Sequence, residues 1–167
     1  MKHAAETLSP VLPEELEAAV LRLLGKASER DLVLATAESC TGGLLASLLT
    51  DVPGVAHVFD RGFVTYSEAA KADLLGIDPA LIAREGAVSR AVAIAMAEGA
   101  LARSRANIAL AITGFTDKGD EPGLIHFACA RAGRMTAHRV ERFGDAGRGA
   151  ARIAAIGVGV GMMTEML

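Results

Sequence analysis

The stretch from Leu32 to Thr50, LVLATAESCTGGLLASLLT, leaves the chain few ways to fold. Leu32 to Glu38 is an apolar run of strand length, and the leucines and alanines after Gly43 form a run that suits a helix ending near Thr50. Between them, SCTGG supplies turn and capping residues but no second strand that could return as a hairpin. A strand that feeds straight into a helix is half of a parallel crossover, since parallel strands need a long connection between them. The same unit carries Ser39, Cys40 and Thr41 to the strand end where α/β sheets bind their ligands.

The rest of the chain repeats this alternation. Pro13, Glu14 and Glu15 start a helix that runs to about Ser28, with Leu16, Val20, Leu23 and Leu24 on one face. FDRGFVTYS, from Phe59, is a second strand in which Gly62 marks a bulge or a close backbone approach. Ser67 caps a short helix that carries Lys71 and stops at Gly76, and Asp78-Pro79 starts another. A longer helix is expected from Ser89 to about Arg103, then NIALAITG as the third strand and FTDKGDEP as a polar loop. Leu124 to Arg131 and Met135 to Arg142 read as a hairpin. A final helix carries Ile153, Ile156, Val160, Met163 and Leu167 on one face, where Gly157, Gly159 and Gly161 imply close packing or a frayed end. Together these elements predict a three-layer α/β/α sandwich with a mixed, mostly parallel sheet of about five strands, one of them antiparallel. The 167 residues suit a single domain, with residues 1–12 as a flexible N-terminal segment.

Composition narrows the function classes. Aromatics make up only 4% of residues, so the core must be built from aliphatic side chains. A net charge of −3 and the lack of a basic stripe argue against direct binding of nucleic acid. No uncharged run reaches the roughly 18 residues of a membrane span, and the N-terminus lacks the pattern of a signal peptide. The expectation is therefore a cytoplasmic protein with no membrane partner. Cys40 and Cys129 read as reduced, buried thiols. The histidines lack metal-ligand spacing, and His126 reads as a core residue.

Ser39, Cys40 and Thr41 precede a helix, where free N–H groups and the positive dipole end suit an anion; an ordinary N-cap is the competing reading. A nucleophile there needs a base, and Lys71 is the candidate, because an amine desolvated in a cleft releases its proton more readily. From local sequence alone, however, the favoured reading of Lys71 is an exposed helix lysine paired with Glu68. Tyr66, the only tyrosine, fits either the site or a core plug at the strand end. Arg148 and Arg152 lie near the start of the last helix, where cations oppose the macrodipole unless an anion, naturally a phosphate, is bound. The alternative is a solvated face with Asp145 and Glu141 as partners.

TAESCTGG from Thr36, RGFVTYS from Arg61, Lys71, GAVS from Gly86 and GDAGR…R from Gly144 to Arg152 together resemble the CinA C-terminal domain family. The resemblance runs from about Pro13 to the C-terminus and is to the stand-alone form of the domain. It implies a three-layer fold, usually a homodimer, and cofactor-free hydrolysis of the carboxamide of nicotinamide mononucleotide to a carboxylate and ammonia. By the same resemblance Ser39 is the nucleophile, and Lys71 and Tyr66 activate and orient it. Thr41, Gly42 and Gly43 form the helix-end anion site, whose N–H groups hold the oxyanion. Arg148 and Arg152 take the substrate phosphate, and Arg61, Thr113 and Gly114 complete the substrate-binding set. One motif departs: the family's glycine-rich G-x-A-G-P-x-G-G loop is replaced by the shorter, charged TGFTDKGDEPG. That change implies either an open pocket with a different substrate or a module without turnover, one that binds a phosphometabolite or serves as a competence- or DNA-damage-associated interaction module.

Overall fold

The computed structural model describes residues 12–117 and 119–167. Of the expected flexible N-terminal segment, residues 1–11 lie outside the described residues. The elements run α1 (Glu14–Glu29), β1 (Leu34–Glu38), α2 (Leu44–Thr50), β2 (Phe59–Val64), α3 (Glu68–Leu75), α4 (Pro79–Glu85), α5 (Arg90–Ala102), β3 (Ile108–Gly114), β4 (Leu124–Arg131), β5 (Ala137–Arg142) and α6 (Arg148–Met166). The five strands form one sheet in the order β2-β1-β3-β4-β5. β1 is parallel to both β2 and β3, whereas β4 is antiparallel to β3 and to β5. The hairpin thus inserts one reversed strand into an otherwise parallel sheet. Met135, expected to begin β5, lies before that strand and is 91% exposed.

The period of two along each strand divides the core. On one face Leu34, Leu110, Ile112 and Phe127 pack with the leucines of α1 and α2 and with Ile156, Val160 and Met163 of α6. On the other, Ala35, Ala37, Ala109, Ala111, Ala128 and Ala130 meet Val92, Ala93, Met96, Ala97 and Ala100 of α5. A sheet face made of alanine lets a helix approach closely, which is how a chain poor in aromatics fills its interior without voids. Each fully buried leucine in the first layer contributes about 1.5–3 kcal/mol of transfer free energy. Gly62 and Gly159 are among the glycines set by contact rather than by φ. A Cβ on Gly62 would sit 2.9 Å from Ala46 Cβ and 3.0 Å from Thr36 Oγ1, beside a register irregularity between Leu34 and Ala35. A Cβ on Gly159 would lie 2.5 Å from Leu110 Cδ2, whereas Gly157 and Gly161 face open space. Close packing therefore explains only the middle glycine of α6.

Candidate active site

Two neighbouring residues at the end of β1 face opposite layers. The strand ladder continues past Glu38: the Ser39 N–H donates to Ile112 O at 2.9 Å, and the Thr65 N–H donates to Glu38 O at 2.8 Å. Ser39 is thereby held between the ends of β3 and β2. Glu38, fully buried, turns toward α2. Its Oε2 accepts from Thr41 Oγ1 at 2.6 Å and from the Leu45 N–H at 3.1 Å, and its Oε1 accepts from the Ala46 N–H at 2.8 Å. A carboxylate thus caps the positive end of α2 from within the protein.

This capping corrects the expectation for Thr41, Gly42 and Gly43. Thr41 spends its hydroxyl on Glu38, and the Gly42 N–H donates to Ser39 O at 3.1 Å. Gly43 takes a left-handed φ of +92° as the residue before α2. None of the three lines the cleft beside Ser39. Ser39 O occupies the Gly42 N–H and Glu38 occupies the Leu45 and Ala46 N–H groups, and α2 itself packs in the other layer.

Ser39 faces α3. Lys71 Nζ lies 3.0 Å from Ser39 Oγ and donates to Thr65 O at 2.7 Å. Lys71 is 2% exposed, which overturns the reading of a solvated lysine paired with Glu68. Burial holds its pKa below the ordinary lysine value, opposed first by Cys40 and then by Glu68. Cys40 exerts no such pull at neutral pH, because burial pushes its thiol up to about 12 and keeps it uncharged. Burial also raises Cys129 to about 12, so both cysteines match the expected inert thiols. A neutral Lys71 amine has one lone pair and two hydrogens. With one hydrogen donated to Thr65 O, the neutral amine can turn either its second hydrogen or its lone pair to Ser39 Oγ, and the lone-pair orientation is within reach for proton transfer.

The space above this pair is a cleft of about 420 Å³ between α3, the residues before α5 and the β3–β4 loop. Tyr66, Thr113, Gly114 and Arg148 line it together with Ser39 and Lys71. Tyr66 is 65% exposed and so is no core plug. The Thr113 hydroxyl donates to Ala87 O at 2.9 Å, tying β3 to the segment before α5. A Cβ on Gly114 would lie 2.7 Å from Leu124 O, so the strand end stays narrow. Arg148 is bound not by Asp145 or Glu141 but by Asp117, with Nη2 3.0 Å from Oδ1 and 3.1 Å from Oδ2.

Two expected members lie off the cleft. Arg61 pairs in register with Ala35, well before the strand ends, and reaches Asp60 Oδ2 at 2.7 Å and Arg103 O at 3.1 Å. Arg152 Nε donates to Cys40 O at 2.7 Å, buttressing the turn that carries Ser39. Glu38, Thr65 and Asp117 were missed by residue pattern. A glutamate ending an apolar strand before a helix was the available signal for Glu38; carbonyl Thr65 O and the loop position of Asp117 had none. His126, expected in the core, is only partly buried and lies 3.0 Å from His138. Among the described residues no three His, Cys, Asp or Glu side chains gather as metal ligands do, and no helix is long and apolar enough to cross a membrane.

A serine joined to a buried lysine in an α/β/α sandwich can be compared with known proteins. The family model of the CinA C-terminal domain matches residues 14–167. The chain belongs to the CinA C-terminal domain family. A CinA-like protein of Chlorobium phaeovibrioides is 47% identical over 133 residues, covering 77% of this chain and 30% of that protein. A CinA-like protein of Chlorobaculum tepidum is 55% identical over 104 residues, 62% of this chain and 24% of that protein. The CinA domain described here thus spans less than a third of the length of these curated relatives. Among solved structures, the competence/damage inducible protein CihA from Agrobacterium tumefaciens superposes with a TM-score of 0.90 at 40% identity, covering 93% of this chain and 98% of that one. A CinA superfamily protein from Escherichia coli does so with a TM-score of 0.86 at 30% identity, covering 94% of each.

Proposed function

We propose that this CinA domain is a cytoplasmic, homodimeric amidohydrolase that converts the carboxamide of nicotinamide mononucleotide, or a near relative, to a carboxylate and ammonia. The single observation that carries the reading is Lys71 Nζ at 3.0 Å from Ser39 Oγ, with the amine almost fully buried. Ser39 Oγ attacks the amide carbon while Lys71 takes its proton. The tetrahedral intermediate collapses with cleavage of the C–N bond, and Lys71 gives the proton to the departing nitrogen, which leaves as ammonia. Water then attacks the acyl-serine, losing one proton to Lys71, and that proton returns to Ser39 Oγ as the carboxylic acid departs and ionises, its remaining proton taken up by the released ammonia.

The negative charge that develops on the carbonyl oxygen needs fixed donors. With α2 capped by Glu38, the helix end facing the cleft is the first turn of α3, where Ser67 and Glu68 form part of the wall. Tyr66 and Arg148, on the rim, orient the remainder of the substrate.

Ammonia release from nicotinamide mononucleotide, measured with the wild type and with Ser39→Ala, tests the proposal. Turnover that the substitution abolishes supports it. Saturable binding without turnover in the wild type supports the second reading, a phosphometabolite-binding module, which the loss of the family's glycine-rich loop motivates. Full activity in Ser39→Ala would refute the serine mechanism.

A further inference from the structure

Arg148 occupies the first position of α6, where its charge is set against the helix dipole. A cation there needs an anionic partner. Asp117 supplies one from the β3–β4 loop, placing both carboxylate oxygens on the guanidinium at 3.0–3.3 Å from Nη2 and Nε. This is the fork with which an arginine takes two oxygens of a phosphate. Both side chains line the cleft, and neither is fully exposed, at 41% for Arg148 and 28% for Asp117.

The loop that presents Asp117 is tied down on both sides. The Phe115 N–H donates to Leu124 O at 2.9 Å, and the Gly123 N–H donates to Phe115 O at 2.7 Å. Gly123 O in turn accepts from the Phe143 N–H at 3.0 Å, and a Cβ on Gly123 would lie 2.3 Å from Gly144 O. The loop is therefore clamped against the connection that leads into α6. Asp117 lies two residues beyond that clamp and meets Arg148 through the bidentate pair itself.

The remaining charges do not restore an anion site. Among the described residues lining the cleft, Lys71 is committed to Ser39 and Thr65, and Glu68 adds a second carboxylate. With Arg148 neutralised, a phosphate dianion entering this space meets Glu68 and must displace Asp117. A carboxamide without phosphate meets neither obstacle.

We propose that Asp117 is a specificity-determining residue: by holding the Arg148 fork it turns the cleft against phosphorylated carboxamides and toward uncharged or cationic ones, such as a pyridinium riboside. The proposal rests on the amidohydrolase reading of Ser39 and Lys71 for its substrate chemistry. Its electrostatic core is independent of turnover.

Two measurements decide it. Inorganic phosphate titrated into the wild type, Asp117→Asn and Asp117→Ala by calorimetry is expected to bind about tenfold more tightly to both variants, the scale of one partly exposed charge-assisted pair. That gain should vanish when Arg148→Ala is added. Equal affinity in wild type and variants, or a gain that survives loss of Arg148, overturns the proposal. Ammonia release is then compared on nicotinamide riboside and nicotinamide mononucleotide. The mononucleotide-to-riboside ratio of kcat/KM is expected below one in the wild type and about tenfold higher in Asp117→Asn. A wild-type ratio of one or more, or one unchanged by the substitution, also overturns it. If neither substrate is turned over, the amidohydrolase reading fails, and the phosphate titration still decides the role of Asp117.

Discussion

Replacing Lys71 with methionine keeps the buried apolar stem and removes the amine. Two hydrogen bonds disappear, those to Ser39 Oγ at 3.0 Å and Thr65 O at 2.7 Å. Thr65 is fully buried, so its orphaned carbonyl costs about 1–3 kcal/mol. Against that stands the cost of keeping an ammonium out of water, which the variant no longer bears. The balance depends on pH in a direction the structure fixes. Burial sets the folded pKa of Lys71 below 10.5. Between that folded value and 10.5 the unfolded chain binds more protons, so wild-type stability rises with pH through this window. Below it the desolvation cost acts in full.

Lys71→Met lacks that dependence, while every other titrating group is shared. The variant's relative stability is therefore greatest below the folded pKa of Lys71 and falls as pH rises from there toward 10.5. Near pH 7 its Tm should lie within about 4 °C of the wild type, the shift that roughly 1 kcal/mol produces in a domain of this size. Its kcat for ammonia release should fall by about 10²- to 10⁴-fold, the usual contribution of a general base. Thermal melts of both proteins across neutral to alkaline pH, with parallel activity assays, test both parts. A Tm difference that does not change with pH would show that the amine is hydrated in the folded state. Activity within fivefold of the wild type would remove Lys71 as the base.

In α6, Gly159→Ala should destabilise by about 1–3 kcal/mol in urea titrations through overpacking against Leu110, whose Cδ2 lies 2.5 Å from the new Cβ. Two residues earlier, where nothing lies within 4 Å, Gly157→Ala should stabilise by about 0.5–1 kcal/mol; the same sign for both would refute the packing account. With thiol pKa values pushed up to about 12, Cys40 and Cys129 should resist iodoacetamide near neutral pH in the folded protein. Mass spectrometry reads the labelling, and rapid modification of Cys40 would mean an accessible, ionised thiol.

The layer order was legible because strand and helix periods are local. Leu34, Ala35 and Ala37 alternate faces in the sequence itself, and Ser67, Asp78 and Ser89 each supply the cap that their residue type predicts. Contacts between distant segments were less legible. Lys71 and Glu68 are near neighbours on one helix, so local reasoning favours their pairing, yet the parallel crossover carries Lys71 to Ser39. Arg148 shows the same limit: nearby acids suggested its partner, whereas Asp117 reaches it from another loop. The helix-end anion site failed for a different reason. A free N-terminus was assumed for α2, and the neighbouring Glu38 had already filled it.

That filling separates assembly from selectivity. Since Glu38 closes the start of α2 with the protein's own carboxylate, the turn bearing Ser39 is shaped by the chain's own groups. The β3–β4 loop contributes none of the hydrogen bonds that set the Ser39–Lys71 pair. Loops of other lengths and charges can therefore be grafted at that rim while the Ser39–Lys71 pair is left intact, so that on the proposed amidohydrolase reading the substrate range would be editable one turn at a time.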